Sequence, residues 1–172
     1  MARNVLVYAA ESGPIQYAAK AAAAAGDDLG LVLTAIEFHR EKVSGGRIEE
    51  EREYGGVRFN AFDEPVFIGS AIAQLAGHAE SVVVDGLEDW CGRLLQRFPD
   101  DPIELDAEIS SLFSVMQARM CDLLLIARPE TGADPKVRAL LARLIAQLEP
   151  KVDAIVELRR GPPKATKGAL PL

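Results

Sequence analysis

Asp85 is the side chain in this sequence whose type and position point most directly to chemistry. It follows the apolar run Val82-Val83-Val84, where phosphate-transferring α/β enzymes place a carboxylate that is linked to magnesium. The alternative is that Asp85 caps the next helix, as aspartate often does. The position therefore predicts either a magnesium-linked acid or a helix cap.

Other charged and small residues follow the remaining apolar runs. The candidate ligand-binding residues are Glu11, Ser12 and Gly13 after the first run, Glu88 near Asp85, and Arg128 and Glu130 after a later run. Grouped carboxylates can bind Mg²⁺, and an arginine can clamp a phosphate. The two histidines, His39 and His78, are interpreted as solvated surface residues.

The elements that must position these residues alternate between strand and helix. Apolar runs at 4–9, 29–35, 81–85, 122–127 and 154–158 predict strands that are buried on both faces. Helical periodicity or high alanine content predicts helices at 14–25, 66–77, 88–98, 103–120 and 135–148. The alternation indicates an α/β protein with a doubly wound, mainly parallel sheet. Ligands of such sheets bind beyond the carboxyl ends of the strands.

The domain organisation predicted from these elements is one α/β domain at 1–160. Residues 37–64 are rich in charge and contain two glycine pairs, which predicts an excursion above the sheet with a helical piece around 48–54. Residues 161–172 are predicted to form an irregular basic tail.

Composition excludes several classes of function. The chain has 172 residues, 49% of them hydrophobic, and 26 acidic against 19 basic residues give a net charge of −7. This acidity argues against a nucleic-acid-binding surface, and no apolar stretch approaches the ~20 residues that span a bilayer. The two cysteines, Cys91 and Cys121, have no metal-ligand spacing. With no signal peptide apparent, the expected location is a reducing cytoplasm.

Two stretches carry a resemblance to a known family. One runs from Arg47-Ile48 through Arg52 to Asp63-Glu64-Pro65, and the other contains Val82-Val83-Val84-Asp85, Leu87 and Trp90. In this order and spacing, from Val5 to about Pro163, the chain resembles the bifunctional adenosylcobinamide kinase and adenosylcobinamide-phosphate guanylyltransferase family of cobalamin biosynthesis. The resemblance implies a nucleotide-binding sheet with a phosphate-binding P-loop. It also implies a homo-oligomer, specifically a trimer, with Mg²⁺ and ATP or GTP as cofactors.

The chain departs from the family at both reaction centres. The family's glycine-rich loop ends in Arg-Ser-Gly-Lys-Ser, whereas the matching stretch here is Glu11-Ser12-Gly13-Pro14-Ile15. Proline supplies neither an amine nor an N–H, and isoleucine cannot ligate magnesium, so the cradle for a polyphosphate is degenerate. Ungapped counting places Glu51 at the position of the family's guanylylated histidine.

The resulting hypothesis is a catalytically degenerate homologue that acts as a non-catalytic subunit or binds a small ligand. Its partners would be a protein or a small molecule, with no nucleic acid and no membrane. The alternative is an active nucleotide-dependent transferase with a reorganised site, in which Asp85, Glu88, Glu51 and Arg128 take part and Mg²⁺ with ATP or GTP is bound.

Overall fold

A computed structural model describes residues 2–34, 49–131 and 134–170 of the chain. The strands are β1 (Asn4–Tyr8), β2 (Leu29–Leu33), β3 (Glu49–Tyr54), β4 (Val57–Asp63), β5 (Ser81–Asp85), β6 (Asp122–Ala127), β7 (Ala154–Glu157) and β8 (Lys164–Lys167). The helices are α1 (Gln16–Ala23), α2 (Ile68–Ala76), α3 (Leu87–Arg97), α4 (Pro102–Ala118) and α5 (Pro135–Leu148). The five strands and five helices predicted from the apolar runs and helical periodicity are present, with ends that differ by at most two residues.

The described strands form one sheet in the order β3-β4-β2-β5-β6-β1-β7-β8. The six inner strands are parallel to one another, and the two outer strands, β3 and β8, run antiparallel to β4 and β7. Helices pack on both faces: α1 lies with one hydrophobic cluster, and α2 to α5 lie with the other. The predicted fold class, an α/β protein with a doubly wound and mainly parallel sheet, is confirmed.

The inner strands are apolar throughout because both faces are covered. In β5, Val82 and Val84 face the α2–α5 side, and Val83 faces the α1 side. The alanine-rich α1 packs closely on its face through buried Ala18, Ala19, Ala21 and Ala22. This arrangement brings the carboxyl ends of the parallel strands to one edge, with Tyr8 level with Ala127 and Leu33 level with Asp85.

The predicted helical piece around 48–54 is wrong. Glu49–Tyr54 is strand β3, and with β4 it forms a hairpin within the sheet rather than an excursion above it. Gly55 and Gly56 have φ angles of +58° and +83°, which suit the two-residue hairpin turn that matches strand twist. Tyr54 and Phe59 pack edge to face, 5.8 Å apart, so burial of two aromatic rings outweighs the helical propensity of the glutamates. The rest of the predicted excursion, including His39, lies outside the described residues.

The predicted irregular tail is also partly wrong. Lys164–Lys167 forms strand β8, which pairs with β7. Gly161, with φ +104°, begins the turn that brings the chain back, and Arg3 Nη2 donates to Ala169 O at 2.7 Å beyond the strand. Pairing with the otherwise unpaired edge of β7 explains why a short, polar segment is ordered.

The two cysteines lie in the core of the protein. Cys91 and Cys121 are both free and buried. Burial raises the pKa of the Cys91 thiol to about 12 and that of the Cys121 thiol to about 11, which makes both thiols unreactive at neutral pH. Among the described helices, none has the length and apolarity needed to cross a membrane.

Candidate functional site

Arg128 forms the centre of a polar cluster at the carboxyl edge of the sheet. It directly follows β6, is 6% exposed, and extends across to the loop between β1 and α1. Its Nε donates to the carbonyl oxygen of Glu11, and its Nη2 donates to the carbonyl oxygen of Gly13 at 2.6 Å. The loop therefore turns two carbonyl oxygens toward a cation.

Asp85, the last residue of β5, holds the other side of the guanidinium. Arg128 Nη1 donates to Asp85 Oδ1, and Nη2 donates to Oδ2 at 3.3 Å. The Tyr54 hydroxyl donates to Asp85 Oδ2 at 2.5 Å and accepts the Ile15 N–H at 3.0 Å. Burial and then the Asp85 carboxylate raise the pKa of Tyr54 above its usual value. The cluster thus ties the β3–β4 hairpin, β5, β6 and the start of α1 together.

The alternative interpretation of Asp85 as a helix cap is wrong. Gly86, with φ +104°, occupies the cap position of α3, and no side chain makes a capping hydrogen bond there. Both carboxylate oxygens of Asp85 instead accept hydrogen bonds, from Arg128 and from Tyr54.

Glu88, in the first turn of α3, supports Arg128 from the other side. Its Oε1 accepts the backbone N–H of Arg128 at 2.7 Å, and its Oε2 lies 3.8 Å from Arg128 Nη1. Burial raises the pKa of Glu88 to about 7, and the hydrogen bond and charge of Arg128 offset part of the rise. The Arg128 guanidinium therefore lies beside two largely buried carboxylates, those of Asp85 and Glu88.

The structure brings together some of the predicted site residues and separates others. Asp85, Glu88 and Arg128 meet, and Glu11 and Gly13 join them through their backbone carbonyls. The side chains of Glu11 and Ser12 are exposed to solvent. Glu130 is likewise exposed and pairs with Arg159 at 3.1 Å, away from Arg128.

Glu51 lies in another part of the molecule. Its exposed carboxylate pairs with Arg58 at 3.2 Å, and it lines a cleft of about 330 Å³ with Leu29 and His78. Leu29 begins β2, whereas Leu33, at the other end of that strand, pairs with Asp85; at 3.3 Å per residue the two ends are roughly 13 Å apart. Glu51 and Asp85 therefore do not share one reaction centre.

The loop after β1, as it is arranged here, does not present the donor groups of a phosphate cradle. Phosphate cradles turn backbone N–H groups inward and add a lysine, but here the carbonyls of Glu11 and Gly13 face Arg128. The Ile15 N–H, at the start of α1, is already bonded to Tyr54. A magnesium ion at Asp85 would have to displace Arg128 or Tyr54. Within the described ranges no group of three or more His, Cys, Asp or Glu residues is placed to hold a metal.

A small cleft adjoins the loop on the α1 side. It has a volume of about 350 Å³, and Ala10, Glu11, Gln16 and Leu158 are among the residues that line it. The volume is at the lower end of the range for small-molecule sites.

Tyr54 is the member of the cluster that sequence reasoning missed. The sequence predicts that Tyr54 lies in a charged helical piece, and it is separated from Asp85 by 31 residues. The available signal was the aromatic residue directly before Gly55-Gly56 and the alternation of Val57, Phe59 and Ala61 after it, which is the pattern of a hairpin.

Comparison with known proteins identifies no family for this chain. No family model matches this chain, and no curated protein matches it. Of 49 chains of solved structures that match, one is a KaiC-like protein from the hyperthermophilic archaeon Pyrococcus horikoshii OT3. It is 12% identical, with a TM-score of 0.49, and the alignment covers 95% of this chain and 76% of that one. The function proposed below therefore rests on the geometry of the Arg128 cluster.

Proposed function

We propose that this chain is a catalytically degenerate relative of the adenosylcobinamide kinase and guanylyltransferase family that acts as a non-catalytic subunit or a small-ligand-binding protein. The observation that supports this most strongly is the polarity of the loop after β1. The carbonyl oxygens of Glu11 and Gly13 accept hydrogen bonds from Arg128, so this loop binds a cation of the protein itself through groups that would repel a phosphate.

The energetic cost of reversing this arrangement supports the proposal further. To admit a triphosphate, the loop would have to release Arg128 and reorient its carbonyls, and Asp85 would lose its cation while negative charge approached. Separating one partner from a buried ion pair costs about 3–5 kcal/mol. In addition, the sequence places no lysine in this loop to attract the phosphates.

The alternative, an active nucleotide-dependent transferase, has one observation in its favour. Glu88 is buried with a pKa near 7, and perturbed carboxylates of this kind serve as acids or bases in many active sites. Against this alternative, Glu88 is bonded to the backbone of Arg128 at 2.7 Å, which gives it a structural role. Because Glu51 lies apart from Asp85, these two residues also cannot act together as a two-carboxylate centre.

Titration with ATP-Mg and GTP-Mg, followed by thermal unfolding, tests the proposal. A ligand present at 100 times its Kd stabilises the folded state by about 2.7 kcal/mol, which raises the Tm of a chain of this size by about 5–11 °C. We expect no such shift with either nucleotide. Incubation with γ-labelled ATP or α-labelled GTP in the presence of a corrinoid acceptor provides the second readout. A labelled corrinoid, or a stable GMP adduct on the protein, would establish the transferase instead.

A further inference from the structure

The two outer strands of the sheet each have one neighbour in the described part of the chain. Strand β3 pairs with β4 and strand β8 pairs with β7, at opposite ends of the sheet. An edge strand presents N–H and C=O groups that can pair with another strand. In a hairpin whose turn closes at Tyr54 and Val57, hydrogen bonding alternates along the ladder, so the backbone groups of Glu51 and Glu53 point outward.

These two edges carry opposite charge. Strand β3 begins Glu-Glu-Glu-Arg-Glu, with four acidic residues in its first five positions. The segment 158–168 contains four basic residues and no acidic one, although the whole chain has a net charge of −7. Across an eight-stranded sheet the two edges are roughly 33 Å apart, so they do not neutralise each other within one molecule.

Charged side chains are accessible on both edges. Glu51 and Glu53 are exposed on β3, and Arg160 and Lys164 are exposed at and before β8. Two of the nearby charges also have partners within the chain. Arg159 is bonded to Glu157 at 2.8 Å, and Glu51 pairs with Arg58 at 3.2 Å in an exposed contact, which is weak enough for a second charged edge to replace.

We propose that the protein self-associates edge to edge, with β3 of one copy pairing with β8 of a second copy. Both strands run opposite to the inner strands, so two copies in the same orientation would join β3 and β8 as parallel neighbours. The contact joins unlike surfaces, and copies can therefore add head to tail into a ring or an open chain. This inference is independent of the proposed function, because it involves neither Arg128 nor a nucleotide.

Charge complementarity indicates which partner each edge strand binds. A row of like charges on an edge normally prevents pairing with its own kind, and it does so here for β3 with β3 and for β8 with β8. Only the unlike pairing brings glutamates against arginine and lysine. A second copy of this chain supplies both edges, and it is the partner that each edge fits.

Sedimentation over a wide range of protein concentration and salt tests the proposal. At about 0.01 M salt, where the screening length is about 30 Å, we expect species heavier than the 18.5 kDa chain. At about 1 M salt, where that length falls to about 3 Å, we expect the single chain. A single chain under all conditions would overturn the proposal.

Charge reversal identifies the edges involved. The E51K/E53K variant and the R160E/K164E variant should each lose self-association by at least about tenfold, whereas an equimolar mixture of the two should associate again. The D27K/D100K variant, which changes the net charge as E51K/E53K does but at exposed residues away from both edges, should behave like the unmodified protein. Recovery in the mixture also shows that both variants are folded. Association that survives both reversals would contradict the assignment, as would failure of the mixture to associate.

Discussion

Replacing Arg128 with alanine is expected to destabilise the protein by several kcal/mol. The Arg128 side chain is 7% exposed and that of its partner Asp85 is 10% exposed. The substitution leaves a buried carboxylate without its cation and releases the carbonyls of Glu11 and Gly13.

The magnitude follows from the burial of the pair. Removing one partner from a buried ion pair costs about 3–5 kcal/mol, because the remaining charge keeps its desolvation cost. The freed loop carbonyls add little, since Glu11 and Gly13 are exposed and water can replace the guanidinium there. For a chain of this size the Tm should fall by about 6–20 °C.

Urea unfolding followed by tryptophan fluorescence measures this loss. The single tryptophan of the chain, Trp90, is buried, and its Nε1 donates to Val66 O at 2.7 Å, so its emission reports loss of the core. Arg143→Ala is the matched control. Arg143 pairs with Asp106 at 2.8 Å, but the two side chains are 49% and 61% exposed, and such pairs contribute about 1 kcal/mol or less.

A double variant separates the ion pair from packing. Replacing Arg128 with methionine and Asp85 with asparagine removes both charges while retaining volume and an acceptor for Tyr54. We expect the free energy of unfolding lost in this double variant to be smaller, by at least about 2 kcal/mol, than the sum of the losses in the two single variants. Strict additivity, or an R128A variant no less stable than R143A, would refute the reasoning.

Three further substitutions test the same region. The pKa of Glu88 rises from 4.5 to about 7 on folding, so the free energy of unfolding should fall by about 3 kcal/mol between pH 4.5 and pH 7 or above. Urea unfolding of E88Q should lack this pH-dependent loss, and a pH profile equal to that of the unmodified protein would count against the buried carboxyl. Y54F, which loses the hydroxyl bonded to Asp85, should cost about 1–3 kcal/mol in the same assay, and a smaller loss would argue against a buried network. In G86A, the new Cβ would lie 2.5 Å from Thr34 Oγ1 at a φ of +104°, so we expect the free energy of unfolding to fall by about 1–3 kcal/mol. Unchanged stability would contradict the positive φ at this residue.

The inner sheet could be predicted from the sequence because its signals are local. Strands 81–85 and 122–127 are apolar on both faces, and helix 135–148 begins with Pro135 after an aspartate whose side chain caps it. The edge strands could not be predicted in this way. Glu49–Tyr54 has a composition that suits an exposed helix, and it becomes a strand through a glycine turn and a partner strand, which is a tertiary cause.

The sequence predicts that Asp85 and Arg128 lie at one edge of the sheet, but it does not predict the hydrogen bonds that they make. Parallel strands bring their carboxyl ends together, which explains why Asp85 and Arg128 were expected at one edge. Whether Arg128 faces outward to a phosphate or inward to the loop depends on distances between strands that are far apart in sequence. The structure resolves this point through the bonds of Arg128 to Glu11 and Gly13.

The most direct test of the central claim is to titrate ¹⁵N-labelled protein with ATP-Mg and with GTP-Mg and to follow the backbone amides of residues 10–13, 15 and 16 by NMR. If Arg128 fills the loop, these amides should not shift in a saturable way at nucleotide concentrations up to the millimolar range. Saturable shifts concentrated in these amides, together with broadening of the β- and γ-phosphorus signals, would contradict the account.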